Sequence, residues 1–210
     1  MRMANYQTQP IKLFARRLST QPSIGLYKES MSSIGSQAMI LTAGFHGDPI
    51  VSKFHGMTIS SVSSLCVEPE PLLQFNLQVP SATSDLLHQF NSFAIHIMPP
   101  TIDSIRIARA FAQGTRIHRD SQGNLVHTKP FMSLAKDDWK LQDINDKVQI
   151  PIISHAERVF LCEKKDLFQV NNHELWVAQV NDILINEPKK SGGLLYFDRH
   201  FHNIGTKLEN

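Results

Sequence analysis

The clearest strands of the chain are two segments in which apolar and polar residues alternate. The segment LLQFNLQV, residues 72–79, is apolar at every second position from Leu73 onward, and SFAIHIM, residues 92–98, repeats that pattern. Alternation of this kind predicts strands that bury one face and expose the other. His96 lies in the second strand, where we expect a half-buried side chain.

One helix is predicted before the second strand and another after it. Residues 81–90, SATSDLLHQF, offer Ser81 or Thr83 as a helix N-cap and place Asp85 in the first turn. Residues 101–113 form the second helix. Its predicted apolar stripe consists of Ile102, Ile105, Ala108 and Ala112.

The other predicted elements are shorter or less regular. Further strands are expected over residues 36–42, 50–54, 158–164, 166–170, 173–185 and 194–197. The first two would form a hairpin. The strands on either side of Asn171-Asn172 would form another, because asparagine tolerates the positive φ of such a turn. The polar residues 137–147 predict a short helix. Six to eight short strands with few helices predict a small antiparallel barrel.

Length and composition fit one ordinary globular domain. The chain has 210 residues, of which 41% are hydrophobic and 19% charged. No apolar run reaches the length of a membrane span, and two cysteines, Cys66 and Cys162, are too few for a disulfide framework. No metal site is predicted, because His-Glu-x-x-His and Cys-x-x-Cys are absent; His200 and His202 merely share a strand face.

The N-terminal segment differs in charge from the rest. Residues 1–28 carry five basic residues and no acidic one, a composition typical of mitochondrial transit peptides. We therefore expect residues 1–30 to be a targeting segment or disordered tail and residues 31–210 to be the domain. A start at Met31 would give a cytoplasmic form. Removal of the first 18 residues leaves 17 basic against 19 acidic residues, so no nucleic-acid binding is predicted.

Two clusters of small hydroxyl side chains flank the strand at residues 72–79. The first hydroxyl cluster is Thr58, Ser60 and Ser61, and the second hydroxyl cluster is Ser81 and Thr83. Hydroxyls, backbone N–H groups and a helix N-terminus are the donors that bind a phosphate. Both clusters together would suit a flavin mononucleotide. From spacing alone, ordinary turns and helix caps are the favoured explanation.

The sequence around these clusters resembles a known family. Residues 56–87, GMTISSVSSLCVEPEPLLQFNLQVPSATSDLL, are similar to the core motif of the flavin reductase-like family, and residues 157–183 to its later hairpin. The likeness covers about residues 34–205. It implies a mainly β fold, the FMN-binding split barrel, which is an antiparallel Greek-key-type small barrel with a few flanking helices. It also implies a homodimer.

The resemblance further implies roles for individual residues. His173 would line the nicotinamide side of the pocket as the candidate catalytic residue. The implied flavin contacts are Met57, Thr58, Ser60, Ser61, Ser64, Leu65, Cys66, Asn76, Ser81 and Thr83. The implied activity is hydride transfer from NADH or NADPH to FMN, with FAD as an alternative flavin. The electrons would then pass to oxygen, free flavin or a partner such as a monooxygenase.

Three features depart from the family pattern. Glu70 separates two prolines that are usually adjacent, Cys66 stands where serine is common, and Asn171-Asn172 replaces Gly-Asp before His173. These changes keep open a second hypothesis, a non-catalytic flavin carrier or a redox-sensing module with Cys66 as its thiol. A third hypothesis is a structural or interaction protein with an empty barrel.

Overall fold

The computed structural model of the protein describes residues 23–113, 117–119, 121–123, 125–127 and 129–208. Most of the predicted targeting segment therefore lies outside the described residues. The helices are α1 Ile24–Ser32, α2 Ala82–Phe90 and α3 Ile102–Ala112. In the part of the chain described, no helix has the length and apolar character needed to cross a bilayer.

Fourteen strand segments are present within the described residues. They are β1 Ser36–Gln37, β2 Met39–Ala43, β3 Gly56–Ile59, β4 Ser63–Cys66, β5 Leu72–Gln78, β6 Ser92–Ile97, β7 Ile117–Arg119, β8 Leu125–His127, β9 Trp139–Asp143, β10 Gln149–Ile153, β11 Arg158–Val170, β12 His173–Ile185, β13 Leu195–Phe197 and β14 His200–His202. Seven of them form an antiparallel sheet in the order β3-β2-β6-β11-β12-β5-β4.

This sheet must curl strongly, because its two edge strands are consecutive in the chain. Six spacings of about 4.8 Å would separate the edges of a flat sheet by about 29 Å. Only residues 60–62 join β3 to β4, and the chain from residue 59 to residue 63 spans at most about 14 Å. The sheet is therefore a barrel split between β3 and β4, as expected for the fold class.

The hydroxyl of Ser61 ties the connection between β3 and β4 to β5. Its Oγ accepts a hydrogen bond from the Asn76 N–H at 3.0 Å and donates to the Asn76 carbonyl at 3.3 Å. Ser61 lies opposite Asn76 in the register that pairs Ser63 with Gln74. A side chain thus occupies the position where the β4–β5 ladder would otherwise continue.

Each face of the central strands packs against its own core. The inner core contains Leu41, Phe75, Phe93, Ile95 and Trp176, and Leu87 of α2 packs into it. The outer core, formed against α3 and the β9–β10 hairpin, includes Ile40, Phe54, Phe111, Phe131 and Ile152. Strands β2 and β6 are buried on both faces, which removes the half-exposed character that alternation predicted for β6.

One glycine fixes the distance between β3 and α3. A Cβ on Gly56 would lie 2.5 Å from the Leu41 carbonyl oxygen and 2.8 Å from the Phe111 ring. No side chain fits there without a shift of the backbone. Thr58 completes this contact, because its Oγ1 donates to the Ala108 carbonyl of α3 at 2.6 Å.

Several predicted elements are confirmed. Strand β5 buries Phe75 and Leu77 while Asn76 and Gln78 are exposed. Ser81, one of the two predicted candidates, is the N-cap of α2, and the second predicted helix is α3. The long β11–β12 hairpin turns at Asn171, whose φ is +54°.

Other expectations were wrong. Residues 51–53 form a 3-10 turn, and β3 is the strand that pairs with β2. Residues 139–143, expected in a helix, form β9, which hydrogen bonds to β10. The closing segment is the β13–β14 hairpin instead of a single strand.

Burial also corrects two predictions about side chains. His96 is completely buried, and burial lowers its pKa to about 4 even though Nδ1 donates to the Ile40 carbonyl at 2.8 Å. Ile102 of the predicted α3 stripe is 86% exposed, whereas Ile107 and Phe111 are buried. The outer core determines which face of α3 is buried. The spacing of apolar residues along the helix did not identify that face correctly.

Candidate functional site

The connection between β3 and β4 borders two adjoining cavities. The first cavity, about 540 Å³, lies between β3, α3 and the β13–β14 hairpin. The second cavity, about 470 Å³, lies between that hairpin, α1 and the connection itself. Both are lined by Ser60, Tyr196 and Arg199. The two cavities together form the candidate site.

The first hydroxyl cluster opens onto both cavities. Thr58 and Ser60 line the first cavity, and Ser60 and Ser61 line the second. Thr58 and Ser61 each hold a main-chain carbonyl of a neighbouring element, at Ala108 and Asn76 respectively. Ser60 is exposed, so its hydroxyl is the member of this cluster best placed to meet a ligand.

The predicted ring contacts lie along an edge of the sheet. In β4, Ser64 is exposed, and Leu65 is 47% exposed at a bulge between the pairs Ser64–Leu73 and Cys66–Leu72. The Cys66 thiol donates to the Glu68 carbonyl at 2.8 Å. Met57 of β3 is half-buried against the inner core. Bulges commonly re-aim side chains beside functional sites.

The second hydroxyl cluster is turned toward the protein. The Ser81 Oγ accepts from the Ser84 N–H at 3.4 Å and caps α2, while Thr83 is only 2% exposed. Ser84 is also buried, and its hydroxyl donates to the Glu174 carboxylate. These hydroxyls are engaged in the fold at the start of α2.

Glu174 gathers three donors around one buried carboxylate. Besides Ser84, the Trp176 Nε1–H donates to it at 3.1 Å, and the His88 Nε2 lies 2.9 Å away. Burial alone would raise the pKa of Glu174, but the hydrogen bonds from Ser84, His88 and Trp176 outweigh it and hold the pKa below its usual value. The carboxylate is thus kept charged beside the N-terminus of α2.

His173 lies near the second hydroxyl cluster. It stands opposite Gln78 at the start of β12, is exposed, and places Nδ1 3.0 Å from the Asn172 side-chain oxygen. In the same turn, the Asn172 carbonyl accepts a hydrogen bond from the Val79 N–H at 2.9 Å. Neither cavity is lined by Ser81, Thr83 or His173.

The predicted site residues therefore fall into two groups along β5. Ser61 is bonded to Asn76 of β5, and Ser81 follows the C-terminal end of the same strand. Asn76 and Ser81 are five positions apart, a span of at most about 18 Å. A single extended ligand could reach both groups along the sheet edge, so the two assignments are compatible.

Several cavity residues were not identified from the sequence. Arg109 is on the exposed face of α3, and Tyr196, Arg199 and Phe201 belong to the closing hairpin. Scattered arginines on a helix and a turn look like ordinary surface until the fold brings them together. The pattern YFDRHFH, with charges between aromatic residues, was the available signal.

The first cavity has the donor set that a flavin requires. Ile59, Ile105 and Phe201 give apolar walls for a flat ring, Thr58 and Ser60 offer hydroxyls for a polyol chain, and the arginines offer charge for a phosphate. His200 and His202 are each bonded to a main-chain carbonyl, that of Asp198 at 2.7 Å and that of Phe197 at 3.2 Å respectively.

The chain matches a known protein family and is similar in fold to several solved structures. Residues 31–205 match the family of flavin reductase like domains. The structure is similar to the flavin reductase of styrene monooxygenase from Pseudomonas putida, with 20% identity, a TM-score of 0.64, and coverage of 87% of this chain and 99% of that one. It is also similar to an NADH:FAD oxidoreductase of Streptomyces globisporus, with 18% identity, a TM-score of 0.66, and coverage of 89% and 96%. At these identities the likeness establishes the fold.

Proposed function

Because the chain belongs to the family of flavin reductase like domains, we propose that it is an FMN-binding oxidoreductase that takes its reducing equivalents from NADH or NADPH. The observation that carries this proposal is the first cavity, where hydroxyl, apolar and cationic side chains meet beside the split of the barrel. Such a combination suits an amphipathic, phosphate-bearing ring system better than a purely apolar or purely ionic ligand.

The residues of this chain would bind and orient the ligand. When bound, a flavin supplies the redox chemistry, since its ring accepts a hydride from a reduced nicotinamide. Ser60 would donate to the ribityl region. Ser64, Leu65 and Cys66 line neither cavity, and they would contact the ring from the edge strand β4. Thr58 and Ser61 would act mainly by fixing the connection that bears Ser60, because their hydroxyls hold Ala108 and Asn76.

His173 keeps its proposed role at the nicotinamide side. Its ring is exposed, and the Asn172 side chain orients it. A ring that is oriented but open to solvent can position a second substrate without acting as an acid or base. Ser81 and Thr83 keep their proposed role near a phosphate, through the backbone N–H groups at the start of α2.

The similar proteins support further proposals about substrates and partners. The Streptomyces oxidoreductase has been solved with NAD and FAD fragments, which makes FAD the alternative flavin to test. The Pseudomonas protein serves a styrene monooxygenase, and we propose that this chain likewise passes electrons to a separate acceptor. A homodimer and mitochondrial targeting by residues 1–30 complete the proposal.

The redox-sensing alternative has less support in the structure. Reactive cysteines act as thiolates, whereas the Cys66 thiol is engaged as a donor to the Glu68 carbonyl. Cys162 is buried, and burial raises its pKa to about 12.

Two spectroscopic measurements test the proposed function. The purified full chain should bind FMN and show a flavin absorption spectrum, and that spectrum should bleach when NADH or NADPH is added without oxygen. A protein that takes up neither FMN nor FAD would refute flavin binding. Bound flavin that never bleaches with either nicotinamide would instead favour the non-catalytic carrier.

A further inference from the structure

The first cavity concentrates positive charge without an acidic counterpart. Arg109 enters from α3 and Arg199 from the turn between β13 and β14, and none of the residues that line the cavity is acidic. Neither guanidinium forms an ion pair with an acid of the described residues. The neighbouring Arg106 is different, because it is held by Asp138 at 2.7 Å and by Asp103 at 3.5 Å.

One of the two arginines, Arg109, is also placed next to an aromatic ring. The Arg109 guanidinium carbon lies 6.0 Å from the centre of the Phe201 ring, and Tyr196 lines the same cavity. Arg199 adopts a positive φ of 64° in the hairpin turn. A planar guanidinium offers paired donors to a phosphate while its face packs on a ring, a combination that lysine does not provide.

The N-terminus of α2 is a less favourable position for a second dianion. Asp85 already occupies its first turn, and the buried Glu174 carboxylate accepts the Ser84 hydroxyl beside it. Negative side chains at a helix N-terminus already interact with its dipole. The strongest attraction for an added phosphate is therefore expected at the first cavity.

We propose that Arg109 and Arg199 form a subsite for a phosphate monoester carried by one of the two substrates. This inference rests on the proposed function and assigns a specificity role to residues outside the predicted flavin contacts. Two substrates carry such a group: FMN at its 5′ end, and NADPH on its adenosine ribose. Riboflavin and NADH are the matching compounds that lack it.

The subsite is tested with the full chain by replacing both arginines, in the double variant Arg109→Ala with Arg199→Ala. Values of kcat/KM are compared for NADPH against NADH, and for FMN against riboflavin. For either NADPH or FMN we expect kcat/KM to fall at least tenfold, because a charge-assisted contact to phosphate disappears. For the matching compound without the phosphate, NADH or riboflavin, kcat/KM should fall less than twofold. A change confined to NADPH or confined to FMN identifies the substrate that carries the group.

Two controls separate the subsite from general effects. Lys140→Ala removes one positive charge from β9, outside both cavities, and should leave both ratios unchanged. The double variant Arg109→Lys with Arg199→Lys keeps the charge but not the paired donors, and should give intermediate losses. Equal losses for all four substrates, or no loss for any of them, would overturn the inference.

Binding measurements keep this test independent of turnover. Calorimetry compares FMN with riboflavin, and adenosine 2′-phosphate with adenosine, its counterpart without the phosphate. In the wild-type chain at least one of the two monoesters should bind more tightly than its counterpart, and the alanine variant should lose this difference. If the wild-type chain shows this pattern but reduces no flavin, the subsite is retained and the reductase proposal fails. If neither monoester binds better than its counterpart, the subsite is refuted.

Discussion

The two hydroxyl clusters look alike in the sequence but have different surroundings in the structure. In the first hydroxyl cluster, Ser60 is exposed between two cavities. In the second, Ser81 caps its own helix, Thr83 is buried, and the adjoining Ser84 is buried against Glu174. One cluster is thus open to a ligand, while the hydroxyls of the other are used mainly to hold α2 against β12.

This difference arises from what lies behind each cluster. The first cluster sits at the split of the barrel, where no neighbouring strand covers Ser60. The second cluster starts a helix whose Leu87 packs into the inner core beside Trp176. A hydroxyl next to a buried carboxylate is satisfied by the protein itself, because unsatisfied buried polar groups are costly.

The largest expected effect comes from removing the carboxylate behind the second cluster. Glu174→Ala leaves the buried Ser84 hydroxyl and the Trp176 N–H without their acceptor. Two unsatisfied donors should lower the free energy of unfolding by about 2–4 kcal/mol. Urea unfolding measures this loss. Glu163→Ala, which removes an exposed glutamate from β11, is the control, and an equal loss in both variants would contradict a structural role for the second cluster.

Introducing a negative charge at each cluster in turn, and measuring the Kd of FMN, shows which cluster lies closer to the bound phosphate. Ser60→Asp should raise the Kd of FMN at least tenfold, since a carboxylate facing both cavities repels a dianion. Ser81→Asp should have a smaller effect, and it retains a good N-cap so that folding is unaffected. Fluorescence titration of FMN measures both. A larger loss in Ser81→Asp would place the phosphate at α2 and reverse the comparison.

The sequence allowed prediction of the parts governed by local rules. Alternation identified β5, capping preferences identified Ser81, and Asn171-Asn172 identified the turn of the long hairpin. The family motif indicated the split barrel, but it did not show that β3 and β4 lie at opposite edges of one sheet.

Features that depend on distant parts of the chain were not predictable in this way. The first cavity requires α3 and the β13–β14 hairpin to meet at β3, so Arg109 and Arg199 gave no local signal. Likewise, Glu174 lies 90 residues after its partner Ser84. His96 looked half-buried because alternation reports one covered face, whereas the outer core covers the second face of β6 as well.

A smaller effect is expected from removing the cap itself. Ser81→Ala should lower the free energy of unfolding by about 1 kcal/mol, because the Ser84 N–H loses its acceptor. Ser81→Gly should lower the free energy of unfolding by only about 0.3 kcal/mol, since glycine is tolerated at N-caps. Ser60→Ala should leave stability unchanged. Thermal unfolding of the three variants tests this order, which would be contradicted if Ser60→Ala were the least stable.

The smallest effect should appear in the acid sensitivity of the fold. The pKa of Glu174 is lower in the folded chain than its unfolded value of about 4.3, so its stabilising contribution is present above that pH and is lost as the pH falls through the folded value. Glu174→Gln removes this contribution, and its stability should fall less than that of the wild type between about pH 5 and pH 3.

The pKa of Asp138 is also lowered in the folded chain. Asp138 therefore accounts for part of the acid sensitivity that remains in Glu174→Gln. The Arg106 guanidinium, with smaller contributions from the Ala135 N–H and His155, holds the pKa of Asp138 below its usual value. The Glu174→Gln variant should therefore retain some acid sensitivity, and adding Asp138→Asn should reduce it further. Urea unfolding at several pH values measures the slopes. If Glu174→Gln had the same slope as the wild type, the carboxylate behind the second cluster would not be held in its charged form by the fold.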